Sequence, residues 1–234
     1  MLFRFSWMLL GLCAGAAALR ADTVAEFDVA TADTPLMASP PWTLKGEAME
    51  SSDGKLVQHL SGSPERGGVS YYISPELGGL IGDGTRDYGI EFKVRPLGDI
   101  PHEGNSHYAN LAVAWSDGQK SYNLTVDASP RDAGGDFTDG ALSGAGNQMV
   151  RLAENIDWTK APTIFIGYTA KNRSFELYVD GQPVATVPGE SLASEPVPEF
   201  FDRVIFGDST SGQGHDVSAQ WYSVRVLDAS KPSQ

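Results

Sequence analysis

Apolar and polar residues alternate along several short stretches of the chain, and the alternation is clearest at Phe175–Val187. Phe175, Leu177 and Val179 fall on one side, and Glu176, Tyr178 and Asp180 on the other. A period of two predicts a half-buried strand, because successive side chains of an extended backbone point to opposite faces. Asp180-Gly181 then predicts a tight turn, since both residues tolerate positive φ, and Val184–Val187 supplies the returning strand. Tyr88–Arg95 repeats the pattern, with Ile90, Phe92 and Val94 opposite Glu91, Lys93 and Arg95. Ala48–Ser51 and Lys55–Leu60 flank Asp53-Gly54, and His107–Trp115 and Ser121–Asp127 flank Asp117-Gly118, so each pair reads as a hairpin. Thr23–Val29, Val69–Ile73, Asn147–Leu152, Thr163–Thr169, Arg203–Gly207 and Ala219–Leu227 complete the expected strands. Ser74–Asp87 and Ser129–Gly146 are Gly-rich and read as loops. No segment longer than a turn or two has helical period. Many short strands separated by Gly, Asn or Asp turns predict an all-β fold, an antiparallel β-sandwich or barrel. The segments do not recur at a fixed length, which argues against a solenoid or propeller.

Met1–Ala21 departs from this pattern. Arg4 makes a short basic start, Phe5–Leu19 is nearly all apolar or small, and cleavage-type small residues follow between Ala18 and Ala21. This reads as a secretory signal peptide, too short for a membrane span. The expected organisation is therefore a signal peptide at 1–21, one domain at 22–229 and a C-terminal tail at 230–234, with a secreted or periplasmic destination. Cys13 is the only cysteine, so the mature chain holds no disulfide and its stability must come from its core. Removing Arg4 and Arg20, in a leader without Asp or Glu, takes the net charge from −13 to −15. That charge repels phosphate backbones and anionic lipid, so nucleic acid is excluded as a partner and no membrane span is expected. Oligomeric state is not specified.

The hairpin Leu177-Tyr178-Val179-Asp180-Gly181, the segment Val204-Ile205-Phe206-Gly207-Asp208 and the closing strand Trp221-Tyr222-Ser223-Val224-Arg225-Val226 resemble the LamG-like, concanavalin A-like jelly-roll families. Ile90–Arg95 is similar to the family's early core strand. The resemblance implies a concanavalin A-like jelly roll, a sandwich of two curved antiparallel sheets. It also implies a carbohydrate or protein ligand on a face or loop rim, in some members with calcium, and in others lyase or glycosidase activity.

The chemistry-bearing residues do not single out an enzyme. Glycoside hydrolysis needs two carboxyl groups about 5–10 Å apart. Neither Glu-x-Asp-x-x-Glu nor Glu-x-Asp-x-Glu occurs, and Glu176 with Asp180 reads as a solvated strand face and a turn. Tyr122, Tyr178, His107 and Arg95 could serve a lyase but equally fit a sheet. The four histidines are scattered, which gives zinc no support. Gly78–Gly84 lacks the lysine and the helix of a phosphate loop and reads as a flexible loop. Calcium is the one cofactor left open, with Asp208 and Asp216 beside a Gly-rich loop as its candidate ligands and Asp132, Asp136 and Asp139 as a second group. Sugar binding wants an aromatic platform beside polar groups. If Tyr222, Val224 and Val226 face the core, Trp221 faces outward with Arg225; these two, with Trp115 and Tyr108, are the candidate carbohydrate-binding residues. The reading is an exported, non-catalytic module that recognises polysaccharide, glycan or another envelope component. The alternatives are a polysaccharide-active lyase or hydrolase, or a structural or adhesion protein without a small ligand.

Overall fold

The computed structural model describes residues 22–59, 70–96, 109–131, 136–144, 149–154, 157, 160–191, 193–195, 198–208 and 218–232. In chain order the strands are β1 (Thr23–Asp28), β2 (Thr43–Gly46), β3 (Glu50–Ser52), β4 (Lys55–His59), β5 (Ser70–Ile73), β6 (Tyr88–Pro96), β7 (Ala109–Ser116) and β8 (Ser121–Arg131). They continue as β9 (Asp136–Gly144), β10 (Met149–Glu154), β11 (Thr163–Thr169), β12 (Ser174–Val179), β13 (Gln182–Pro188), β14 (Ala193–Ser194), β15 (Arg203–Asp208) and β16 (Ser218–Leu227). Every strand pairing is antiparallel. One sheet runs β13-β12-β11-β6-β16-β4-β3, with β1 also on β16; the other runs β10-β9-β8-β7-β15-β5-β2, with β14 also on β8. The chain is an all-β antiparallel sandwich, one of the two forms that the alternation predicts, and of the jelly-roll kind that the family resemblance implies. Its leader, residues 1–21, lies outside the described residues.

The core forms between the two sheets. On β6, Ile90, Phe92 and Val94 are fully buried. Phe206 of β15 sits 4.9 Å from the Trp221 ring of β16, and Trp221 lies 6.1 Å from Phe92, so one indole joins the two sheets. Two hairpin turns follow their sequence signals: Asp53-Gly54 and Asp180-Gly181 both have positive φ at both positions. Asp180 also ties the turn to β11. Its Oδ1 accepts from the Thr163 N–H, and its own N–H donates to the Thr163 carbonyl.

Two expectations are corrected. Much of the stretch read as a loop at Ser129–Gly146 is strand: β8 runs to Arg131, and β9 takes Asp136–Gly144. Pairing with β8 on one side and β10 on the other supplies the ladder that local propensity does not announce. Gly78–Gly84 is also not a free loop. Leu77, Leu80 and Ile81 are buried in the main core, and the backbone wraps a carboxylate described below.

The chain end forms a strap. Gly89 and Gly167 are direct partners on β6 and β11. A side chain at Gly167 would strike the Ser230 carbonyl, and a Cβ at Gly89 would lie 2.6 Å from the Ala229 oxygen. The paired glycines therefore make a track for residues 228–230. The Asp228 N–H donates to the Asp22 carbonyl, and Ser230 Oγ donates to Asp87. Ser230, the first residue of the expected C-terminal tail, is seated on the sheet.

Candidate functional site

Asp202 organises one rim of the sandwich. It stands just before β15, with φ of 48° and 5% exposure. Its Oδ2 accepts from Gly79 N–H at 2.5 Å, and its Oδ1 accepts from the N–H groups of Ile81 and Gly82 at 3.0 and 3.1 Å. A carboxylate that gathers three backbone donors replaces the ladder that a loop lacks, so the buried amides are satisfied. The Asp202 N–H donates to the Ser116 carbonyl at 2.8 Å, which brings the segment onto the end of β7.

The same segment fixes Phe201. Phe200 is buried against Tyr71, whereas Phe201 is 51% exposed. The ring of Phe201 lies directly over Gly118, where a Cβ would collide with it. Gly118 has φ of 82°, so glycine serves both the turn and the close approach. Next to it, Asp117 is 7% exposed. Its Oδ1 accepts from the Gln119 and Lys120 N–H groups at 2.8 and 2.7 Å, and its Oδ2 accepts from the Tyr122 hydroxyl at 2.8 Å. Burial and the neighbouring Asp117 carboxylate push the Tyr122 phenol well up, so Tyr122 stays a donor.

Between these elements lies a cleft of about 540 Å³. The Gly-rich loop contributes Asp83 and Arg86, the β7–β8 turn contributes Asp117 and Gln119, and Phe201 forms one wall. Asp83 Oδ1 accepts from the Thr85 N–H at 2.9 Å and from the Thr85 hydroxyl at 2.6 Å, which holds the carboxyl below its usual range. Arg86 Nη2 lies 2.7 Å from Asp228 Oδ2. Beneath the cleft the aromatics are locked. Tyr168 donates to the Gly84 carbonyl at 3.1 Å and stacks on Tyr88 at 4.9 Å, and Trp115 Nε1 donates to Tyr88 Oη at 2.7 Å. An exposed ring, two carboxylates, an amide and a guanidinium thus face one concavity on a rigid floor, a composition suited to a polar ligand with an apolar face.

A second concavity of about 480 Å³ lies on the edge hairpin, lined by Glu176, Tyr178, Thr186 and Lys231 among others. Tyr178 Oη donates to Glu176 Oε2 at 2.7 Å. Desolvation first, then the Glu176 hydrogen bond and charge, push Tyr178 up to about 12. It has less apolar wall than the first cleft, and its ring is partly covered by the T-shaped contact with Phe165 at 5.8 Å.

The candidate residues read from the sequence fall elsewhere. Trp221 is fully buried, and its Nε1 donates to Gln58 Oε1 at 3.0 Å, so it cannot serve as an external platform. The cause is a bulge in β16. Trp221 pairs with Val94 and Ser223 with Lys93, which leaves Tyr222 as the extra residue. Alternation changes phase there, so Ala219 and Trp221 point inward on one side of the bulge and Val224 and Val226 on the other. Arg225 does face outward, but Glu26, Asp28 and Glu91 hold its guanidinium at 2.5, 3.0 and 3.3 Å. It is a clamp between β1, β6 and β16. Trp115 is fully buried, with its N–H satisfied by Tyr88. Tyr108 and Asp216 lie outside the described residues. Asp208 closes β15 opposite Ser70, eight positions from Asp216 in the chain. Among the described residues, no three His, Cys, Asp or Glu side chains converge as a metal site. Phe201, Asp117 and Asp202 were missed. The available signal was Phe200-Phe201-Asp202, two adjacent rings and a carboxylate after a Pro-containing connection; Phe200 closes a 3-10 turn, Pro198–Phe200, so strand alternation does not say which ring is buried.

No protein-family model and no curated protein sequence matches the chain. Solved structures do. A Trypanosoma rangeli sialidase in complex with 2,3-difluorosialic acid superposes with a TM-score of 0.56 at 13% identity, over 90% of this chain and 31% of that one. A structure reported with endo-acting O-glycanases of the human gut microbiota gives 0.53 at 14% identity, over 88% of this chain and 99% of that one. The binding domain of botulinum neurotoxin serotype G gives 0.51 at 9% identity, over 91% and 49%. This chain thus spans about a third of the sialidase it matches. Among the described residues, no helix is long and apolar enough to cross a membrane. At these identities the likeness is one of fold, and it places the chain among β-sandwiches of the jelly-roll kind.

Proposed function

We propose that this chain is a LamG-like recognition module that binds carbohydrate, without turnover, in the cleft walled by Phe201. The observation that carries the reading is the half-exposed Phe201 ring, held over Gly118 beside the Asp83, Asp117 and Gln119 side chains. A sugar ring offers an apolar face to such an aromatic wall and hydroxyls to the acceptors around it. The fold neighbours whose names refer to sialidase and O-glycanase agree with a carbohydrate ligand, and the leader-like start of the chain agrees with work outside the cytoplasm. Binding is favoured over hydrolysis by the state of the two carboxyls. A glycosidase needs one carboxyl with a raised pKa as its general acid. Asp83 is instead held low by Thr85, and the Asp117 oxygens are occupied by three donors. Calcium at Asp208 and Asp216 would be an addition to this reading and is not needed by it.

The test is a glycan array followed by calorimetry, with reducing-sugar and unsaturated-uronate assays on the same polysaccharides, each with and without calcium. Binding without product is expected. Phe201→Ala should weaken it about tenfold or more, since covering a phenyl side chain is worth about 1.5–3 kcal/mol. Product formation, or binding indifferent to Phe201→Ala, would overturn the proposal.

A further inference from the structure

We infer that the cleft selects uncharged sugars over acidic ones, and that Asp228, which lies on the C-terminal strap, sets this selectivity by neutralising Arg86. The inference rests on the carbohydrate reading of the Phe201 cleft. Among the described residues, the charged side chains lining the cleft are Asp83, Arg86 and Asp117. Arg86 is the sole cation among them, and a carboxylate or sulfate on a sugar would look to it first. Its guanidinium is already engaged, with Nη2 at 2.7 Å from Asp228 Oδ2.

Asp228 is an anchored carboxylate. Its N–H is bonded to the Asp22 carbonyl at 2.9 Å, and the residues after it run over the paired glycines 89 and 167. Ser230 is tied to Asp87, the residue next to Arg86. The strap therefore holds a negative charge against Arg86, and among the described residues the cleft keeps two further carboxylates without a free cation. Asp83 uses only Oδ1 in its bonds to Thr85, which leaves Oδ2 to accept from a ligand hydroxyl. A ligand anion in the same place meets like charge, on a chain whose formal net charge is −13.

The experiment titrates the full chain with two pairs, lactose against 3′-sialyllactose and methyl-esterified against free polygalacturonate, at low and at raised ionic strength. The neutral member should bind about tenfold more tightly or better at low salt, because the cleft carboxylates repel a like charge a few ångströms away, and added salt should narrow the gap. Asp228→Asn frees Arg86 and should raise affinity for the acidic member about tenfold while leaving the neutral one within about twofold. Arg86→Gln, which keeps Asp228 and the strap, should retain the preference for neutral sugar. Acidic members that bind as tightly as neutral ones, or discrimination unchanged in Asp228→Asn, overturn the inference. Failure of all four ligands to bind, or binding indifferent to Phe201→Ala, overturns the carbohydrate reading itself and the inference with it.

Discussion

Removing the Asp202 carboxylate should unfasten the rim on which the cleft is built. Three backbone N–H groups converge on it, two of them in buried hydrogen bonds and one partly buried. Hydrogen bonds to a charged group are worth about 1.5–3 kcal/mol each, and an orphaned buried donor costs about 1–3 kcal/mol. The partly buried Gly79 amide can recover water, and the three effects share one loop, so they do not add in full. Asp202→Gly should then cost about 3–5 kcal/mol, or roughly 6–20 °C in Tm for a domain of this size. Glycine is the informative replacement because it accepts the left-handed φ of 48° at this position without strain. Asp202→Ala should fare worse by roughly 1 kcal/mol for the same φ, and Asp202→Asn, which keeps one acceptor, should lose about 1–3 kcal/mol. Chemical denaturation gives these differences. Amide exchange at Gly79, Ile81 and Gly82 reports whether the loss is local. A glycine variant that melts within about 1 °C of the parent, with those amides still protected, would refute the reasoning. The loop would then be held by Leu77, Leu80 and Ile81 alone.

Three further outcomes follow from the packing. Trp221→Phe should cost about 2–4 kcal/mol, because it opens a void between the sheets and leaves Gln58 Oε1 without its donor, yet sugar titrations should be unaffected; denaturation and calorimetry check the two halves separately. Gly167→Ala puts a methyl group into the path of Ser230, so the strap should lift, costing about 1–3 kcal/mol and opening the amides of residues 228–230 to exchange. Stability should fall at high pH. Tyr178, pushed up to about 12, keeps its proton in the folded state after an unfolded tyrosine near 10 has released it, so the folded form loses ground as pH rises through that window. Tyr178→Phe should flatten that limb of the denaturation profile in part, since Tyr71, Tyr72, Tyr88, Tyr122 and Tyr168 are raised as well.

The amino-acid pattern by itself determined the all-β, antiparallel class and the place of most strands. Ile90, Phe92 and Val94 alternate against charged residues because a strand with one wet face must do so, and they line the core as that rule requires. Asp53-Gly54 and Asp180-Gly181 marked their hairpins because few residues accept two successive positive φ values. Strand position was legible wherever the cause was local.

The candidate site was not local, and tertiary structure decided it. One unpaired residue at Tyr222 reverses the facing of β16, so Trp221 goes into the core while alternation counted from Val226 sends it out. Bulges depend on how two strands meet, and a single strand does not carry that information. Arg225 and Trp115 looked available because their partners, Glu26, Asp28, Glu91 and Tyr88, are distant in sequence. The Gly-rich loop looked free for the same reason, since the carboxylate that orders it stands more than a hundred residues away at Asp202. Phe201 owes its exposure to that carboxylate and to a glycine at 118, and only the folded chain brings the three together.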